Sequence, residues 1–318
     1  MKKILIGYPL DRYKVFEEIF RPLSNKHSLV FKDYDYDWLK RHIHEFDIVV
    51  PSLKVIIDDA IINKARNLRM IFTPTTGRDH IRIRKKPKKL KVLTLHNYRK
   101  EIDTISSTAE LGFSFVLSLS RKVLYAHKDV VESARWERND FLGTELNNKV
   151  MGIIGMGRIG RKIAGYGQAF GMEVIYWDKI KSAEGKRISN LSRLLSVADF
   201  IIVSLTLTDK TRHLINMNNI GDIKKGAILV NISRGEVIEE KSLCFALKKG
   251  IISGVGVDVL EKELVDYKKS PLLVYARKNP DANIIITPHI GGATFEAWKK
   301  VFKLVCDKIS EEIIPNDD

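Results

Sequence analysis

Val150-Met151-Gly152-Ile153-Ile154-Gly155-Met156-Gly157-Arg158-Ile159-Gly160-Arg161 is the stretch that decides the fold. It opens as an apolar run, passes through G-x-G-x-x-G, and continues into the helical pattern of Arg161–Phe170. Gly155 suits a tight turn, Gly157 lets backbone approach a pyrophosphate, and Gly160 lets helix and strand pack closely. The helix that follows presents its free N–H groups to the phosphates. The next apolar run, Glu173–Trp177, is followed by Asp178, 23 residues after Gly155. A carboxylate near that distance takes the two hydroxyls of an adenosine ribose. The stretch therefore predicts a strand–turn–helix unit that binds a dinucleotide. Asp178 repels a 2′-phosphate, which favours NAD over NADP, and Lys179 and Lys181 partly offset that repulsion.

The same alternation extends outward from this unit. Strand-like runs fall at Val150–Ile154, Glu173–Trp177, Phe200–Ser204, Ala227–Asn231, Gly254–Val259 and Ile284–Thr287. Helical patterns lie between them at Arg161–Phe170, Asn190–Ser196, Ile220–Asp222 and Lys241–Lys249. Residues 1–100 repeat the theme, with strands at Lys3–Gly7, Leu29–Lys32, Asp47–Val50, Met70–Thr73 and Val92–Leu95. Tyr13–Leu23, Asp37–His44 and Ile56–Ala65 read as helices between those strands. Alternation of this kind builds a parallel sheet with helices on both faces. A helical pattern from Thr104 to Ser133 reads as one long connecting helix, capped by Ser106 or Ser107, with Glu110 in its first turn. Phe295–Ile313 reads as a final helix. The expected fold is α/β, with two Rossmann-like or flavodoxin-like domains, each a doubly wound parallel sheet.

Composition narrows the function classes. The chain has 318 residues, 44% hydrophobic and 29% charged, enough for two domains with proper cores. No apolar run approaches the roughly 20 residues needed to span a bilayer, and no leader segment is evident, so a soluble cytoplasmic protein is expected. The net charge of +15 is spread along the chain, with one dense cluster at Arg82–Lys91. That cluster lacks the interleaved aromatics of a single-strand binder and reads as a solvated turn, so no nucleic-acid partner is expected. Cys244 and Cys306 lack metal-ligand spacing and read as buried helix thiols; no metal is expected.

Three charged residues carry the chemistry. Asn231-Ile232-Ser233-Arg234-Gly235, Asp258-Val259-Leu260-Glu261-Lys262-Glu263 and Pro288-His289-Ile290-Gly291-Gly292 each follow a predicted strand. Ligands of such sheets bind beyond the carboxyl ends of the strands. An Arg there can hold a carboxylate with two parallel hydrogen bonds. A His backed by a carboxylate can move a proton near neutral pH. Taken singly, His289 could be an ordinary strand-end histidine, and Arg234 and Glu263 a surface ion pair. Three strand ends converging on one edge are harder to explain as packing.

With these motifs, the chain resembles the D-isomer-specific 2-hydroxyacid dehydrogenase family. Thr108-Ala109-Glu110, Phe141–Leu146 and Thr208–Asn216 are also family-like. The resemblance implies an NAD-dependent enzyme that interconverts a 2-keto acid and a D-2-hydroxy acid. It makes His289 the acid/base and Arg234 the anchor of the substrate carboxylate. It makes Glu263, five residues after Asp258, the support of the His in preference to Glu261. Thr108, Arg158, Ile159, Ile232 and Asp258 join Gly155, Gly157, Gly160 and Asp178 around the cofactor. Backbone amides at Thr75, Thr76 and Gly77 receive the substrate carboxylate from the other domain. Residues 1–101 plus 293–318 would form the substrate domain and residues 102–292 the NAD domain, with the active site in the cleft between them. A homodimer is implied, pairing through the Thr104–Ser133 helix.

Departures from the family lie on the substrate side. Pro51-Ser52 replaces an Arg-Ser pair whose Arg helps hold phosphate in phosphoglycerate dehydrogenases. Leu264 replaces a Pro, Thr206 another Pro, and Arg82 a common Asp. The Val265–Asn283 connection is long. Gly291-Gly292 resembles the glyoxylate, hydroxypyruvate and phosphoglycerate branch more than the lactate branch. Which acid is used, and in which direction, stays open. An alternative on the same scaffold is an NAD-sensing binding protein, as in the C-terminal-binding-protein corepressors.

Overall fold

The computed structural model describes residues 1–313. The expected domain end at 314–318 lies outside the described residues. The chain divides into two compact units, one of Met1–Ile105 with the chain from Thr294 onward, the other Ser106–Ala293.

The first unit contains β1 (Lys3–Ile6), α1 (Lys14–Ser24), β2 (Ser28–Phe31), α2 (Tyr36–His42), β3 (Ile48–Val50), β4 (Ile57–Asp58), α3 (Asp59–Ile62), β5 (Met70–Thr73), β6 (Ile81–Arg82) and β7 (Lys91–Thr94). Its main sheet is parallel in the order β2-β1-β3-β5-β7, reversing between β1 and β3. β4 and β6 form a separate two-stranded sheet. Ile56–Ala65, expected as one helix, is therefore a strand followed by a short helix. Ile57 is drawn into pairing with Ile81, and Asp58 caps what remains by accepting from the Ile61 N–H. Arg82, Arg84, Lys85, Lys86, Lys88 and Lys89 are exposed, and the Arg84 and Lys85 N–H groups rest on the Asp59 carboxylate.

The second unit runs α4 (Ser107–Ser120), α5 (Val123–Ser133), β8 (Val150–Ile154), α6 (Arg158–Ala169), β9 (Glu173–Trp177), β10 (Lys186–Arg187), α7 (Leu191–Val197), β11 (Phe200–Val203), β12 (Ala227–Asn231), α8 (Glu240–Lys248), β13 (Ile252–Val257), α9 (Pro271–Lys278) and β14 (Ile284–Ile286). Its sheet is parallel in the order β10-β9-β8-β11-β12-β13-β14. The order reverses between β8 and β11, where a ligand crevice is expected. Its inner strands are buried on both faces, as parallel sheets require, while the edge strand β10 is exposed.

The long connecting helix is in fact two. Lys122 adopts a left-handed backbone, and the Ser120 carbonyl accepts from the Thr144 N–H at 2.8 Å. Its cap also differs: Ser106 donates its hydroxyl to Glu110 at 2.5 Å and makes no bond to a helix N–H. α9 falls inside the long Val265–Asn283 connection, capped by Ser270 with Pro271 at its start.

The chain then returns to the first unit as α10 (Phe295–Ile313). Phe302, Val305, Cys306 and Ile309 bury against Ile4, Phe16, Phe20 and Leu23. Ile102 and Ile105 pack into the same core. Among the described residues no helix is long and apolar enough to cross a membrane.

Candidate active site

The glycine loop closes β8 onto α6. Gly155 has φ +100°, a conformation that glycine reaches without strain. A Cβ on Gly160 would stand 2.2 Å from the Gly155 carbonyl oxygen, so helix and turn touch backbone to backbone. A Cβ on Gly157 would meet no atom within 4 Å, and Gly157 caps α6 without a side-chain bond. Open space at Gly157 thus adjoins a helix N-terminus without a side-chain cap, which fits a dinucleotide pyrophosphate. Asp178, half-buried at the end of β9, accepts from the Met156 N–H at 2.7 Å and the Ile180 N–H at 3.0 Å. Each oxygen keeps a lone pair for a ribose hydroxyl.

β12, β13 and β14 are neighbours, with Asn231 beside Val257 and Val257 beside Ile286. Their carboxyl ends lead directly into the segments of Arg234, Glu263 and His289. His289 Nδ1 lies 2.8 Å from Glu263 Oε1, with both side chains about a quarter exposed. This leaves Nε2 as the ring nitrogen available to a substrate. Glu263 is itself oriented by the Leu260 N–H at 3.3 Å.

Two buried polar residues brace these turns. Asp258 is 2% exposed and accepts from the Thr287 hydroxyl at 2.6 Å and from the Ile290 and Gly291 N–H groups at 2.7 Å each. Burial raises its pKa above the usual carboxylate value, against the lowering effect of those donors and of His289. His289 has φ +56°, a strained conformation for a residue with a Cβ, and this clamp holds it there. Asn231 does the same for the arginine turn. Its Oδ1 takes the Ser233 N–H and hydroxyl, and its Nδ2 donates to the Arg234 carbonyl at 3.0 Å. Arg234 Nη1 donates to the Ser233 carbonyl at 2.7 Å.

Residues 113–291 match the D-isomer specific 2-hydroxyacid dehydrogenase, NAD binding domain family, more than half of the chain. The chain belongs to the D-isomer specific 2-hydroxyacid dehydrogenase family. It is 33% identical over 291 residues to the glyoxylate reductase of Pyrococcus horikoshii, covering 87% of this chain and 83% of that one. It is 32% identical over 317 residues to the hydroxypyruvate reductase of Thermotoga maritima, covering 98% of both. Among solved structures it resembles the D-lactate dehydrogenase of Aquifex aeolicus in complex with NAD and lactic acid. The TM-score is 0.79 at 25% identity, covering 98% of this chain and 95% of that one. The enzyme is an NAD-dependent oxidoreductase of D-2-hydroxy acids.

The remaining expected site residues of this dehydrogenase fall as follows. Thr108 stands in the first turn of α4, close enough to Gly291 that a Cβ there would lie 3.0 Å from its methyl. Ile232 packs on Gly112 of the same helix. Arg158 and Ile159 open α6. Thr75, Thr76 and Gly77 lie on the first unit, in the turn after β5. Glu261 does not join His289 but bonds His213 Nε2 at 2.8 Å, giving that histidine a partner that its sequence context did not reveal. Arg187 was also missed. It donates to the Asp178 and Lys179 carbonyls at 2.9 and 3.1 Å, adding a cation beside the ribose carboxylate.

Proposed function

We propose that the enzyme reduces the C2 carbonyl of a small 2-keto acid to the D-2-hydroxy acid, with His289 as proton donor. The observation that carries this reading is the 2.8 Å bond from His289 Nδ1 to Glu263, on the strand end adjoining that of Arg234. The cofactor is held by Gly155, Gly157, Arg158, Ile159 and Gly160 at its phosphates and by Asp178 at its ribose. Thr108, Ile232 and Asp258 line its nicotinamide end. When bound, the nicotinamide supplies the hydride that C2 receives.

The chain's own residues do the rest. Arg234 takes the substrate carboxylate and polarises the C2 oxygen, helped by the amides of Thr75, Thr76 and Gly77. His289 gives its Nε2 proton to that oxygen during reduction and removes it during oxidation. Glu263 holds the ring through Nδ1 and so leaves Nε2 for the substrate oxygen. Glyoxylate and hydroxypyruvate are the substrates of this reading, since relatives at 33% and 32% identity are a glyoxylate reductase and a hydroxypyruvate reductase. Pro51 is buried where a phosphate-binding Arg would stand, which disfavours 3-phosphoglycerate.

NADH oxidation with a panel of 2-keto acids tests this reading. Glyoxylate and hydroxypyruvate are expected to give higher kcat/KM values than 3-phosphoglycerate gives in the reverse direction. His289→Gln is expected to lose about 10²–10⁴ in turnover and to keep NADH binding. Full turnover by His289→Gln would refute the mechanism. NADH binding without turnover on any acid would favour the corepressor-like alternative.

A further inference from the structure

Beneath the Thr75–Gly77 turn lies a buried chain of polar groups that none of the motifs above accounts for. His80 is 2% exposed and Thr73 fully buried. His80 Nε2 lies 2.9 Å from Thr73 Oγ1, Thr73 Oγ1 lies 2.9 Å from Thr75 Oγ1, and Thr75 Oγ1 lies 2.7 Å from the Gly77 carbonyl. Proton counting sets the direction of every bond. A carbonyl only accepts, so Thr75 spends its one hydroxyl proton on Gly77. Thr75 must then accept from Thr73, which spends its own proton there. Thr73 must accept in turn, and the remaining donor is a protonated Nε2 of His80. The bonds therefore run one way, from His80 to the Gly77 carbonyl, and aligned hydrogen bonds reinforce one another.

The rest of the turn is held from outside. Leu95 N–H donates to the Thr75 carbonyl at 2.9 Å, Ile81 N–H to the Arg78 carbonyl at 2.8 Å, and Ile57 N–H to the His80 carbonyl at 2.7 Å. Among the described residues, the N–H groups of Thr75, Thr76 and Gly77 donate to no protein acceptor. A rigid turn with successive free N–H groups at the carboxyl end of a parallel strand is a concavity for an anion.

We propose that His80 is a positioning residue for the substrate carboxylate: through Thr73 and Thr75 it fixes the Gly77 carbonyl and so aims the adjacent amides. It touches neither substrate nor cofactor. The proposal rests on the reading that these amides take the carboxylate, and it explains why a histidine is buried under a turn that contributes backbone only. Losing the donor at one end frees the whole chain, because each hydroxyl can then turn to another acceptor.

The test uses His80→Leu, Thr73→Val and the conservative Thr73→Ser in the 318-residue enzyme. The readouts are kcat and KM for glyoxylate, inhibition by oxamate, and NADH affinity by fluorescence. His80→Leu and Thr73→Val are expected to raise KM about tenfold and weaken oxamate to the same extent. Turnover and NADH affinity should stay near the parent, and Thr73→Ser, which keeps the hydroxyl, should retain the parent KM. An unchanged KM in folded His80→Leu overturns the proposal, as does a loss that falls equally on NADH affinity. Should His80→Leu not fold, the near-isosteric Thr73→Val decides by the same criteria. Failure of the parent to reduce any 2-keto acid would sink the underlying reading instead, and is seen before any variant is made.

Discussion

In the mechanism proposed, one carboxylate, Glu263, decides which nitrogen of His289 meets the substrate. Glu263→Gln keeps the shape but gives Nδ1 an amide partner that can turn either its oxygen or its NH₂ to the ring, so the imidazole is no longer held one way round. Turnover should fall about tenfold while NADH affinity stays near the parent. An unchanged kcat would remove Glu263 from the mechanism. Arg234→Lys should mainly raise KM, since an ammonium makes no two-pronged contact with a carboxylate, and should lower kcat to the extent that the guanidinium polarises the carbonyl. At Asp178 the question is cofactor choice. The parent should prefer NADH to NADPH, and Asp178→Ala should narrow that preference in a binding titration. The narrowing should be large, because Arg187, Lys179 and Lys181 are already at hand to meet a 2′-phosphate. Equal affinity of the parent for both cofactors would contradict this.

Between residue and fold stand the strand-end turns, and their bracing is where small changes cost most. Asp258→Asn replaces two acceptor oxygens by one and points an N–H₂ at donors already there. One lost buried bond costs about 1–3 kcal/mol. The Thr287–Gly291 turn should loosen and kcat should drop at least about tenfold, while circular dichroism stays near the parent; unchanged kcat would show that the clamp is dispensable. Much of this level was legible in the sequence. The strands of the second unit, the glycine loop and the order Arg234, Glu263, His289 follow from apolar runs and glycine spacing. The rest turned on contacts between segments distant in the chain. No local pattern says that Lys122 turns left-handed, since the break depends on Thr144 binding the Ser120 carbonyl. Ile57 looked helical because its partner Ile81 is remote. Asn231 sat in plain view within its motif, but its clamp on Ser233 and Arg234 is visible only once the turn closes. Ser270-Pro271, by contrast, is a readable helix start that a long, lysine-rich connection obscured.

On the scale of the molecule, α5 is an apolar helix without a cover. It has no buried residue, and Val123, Leu124, Val131, Trp136 and Leu142 in and after it are 49–87% exposed. Yet it is pinned in place, with Tyr125 donating to the Ala282 carbonyl and accepting from the Ile284 N–H at 2.7 Å. A fixed apolar surface of this kind suits an interface, and a homodimer pairing through it is the outcome expected from the resemblance. Light scattering should give twice the 36.4 kDa chain mass, and Val131→Glu with Trp136→Glu should halve it. A monomeric parent at micromolar concentration would reject the assignment. The return of α10 has a consequence for how the protein is made. The second unit is continuous in the chain and can close as soon as it leaves the ribosome. The first unit, begun earlier, must wait until Phe302, Val305 and Ile309 have been synthesised before Phe16 and Phe20 are covered. For most of translation the N-terminal segment is thus an open sheet with a greasy face, the kind of nascent chain that chaperones hold. The half of the enzyme that is born first is the half that finishes last.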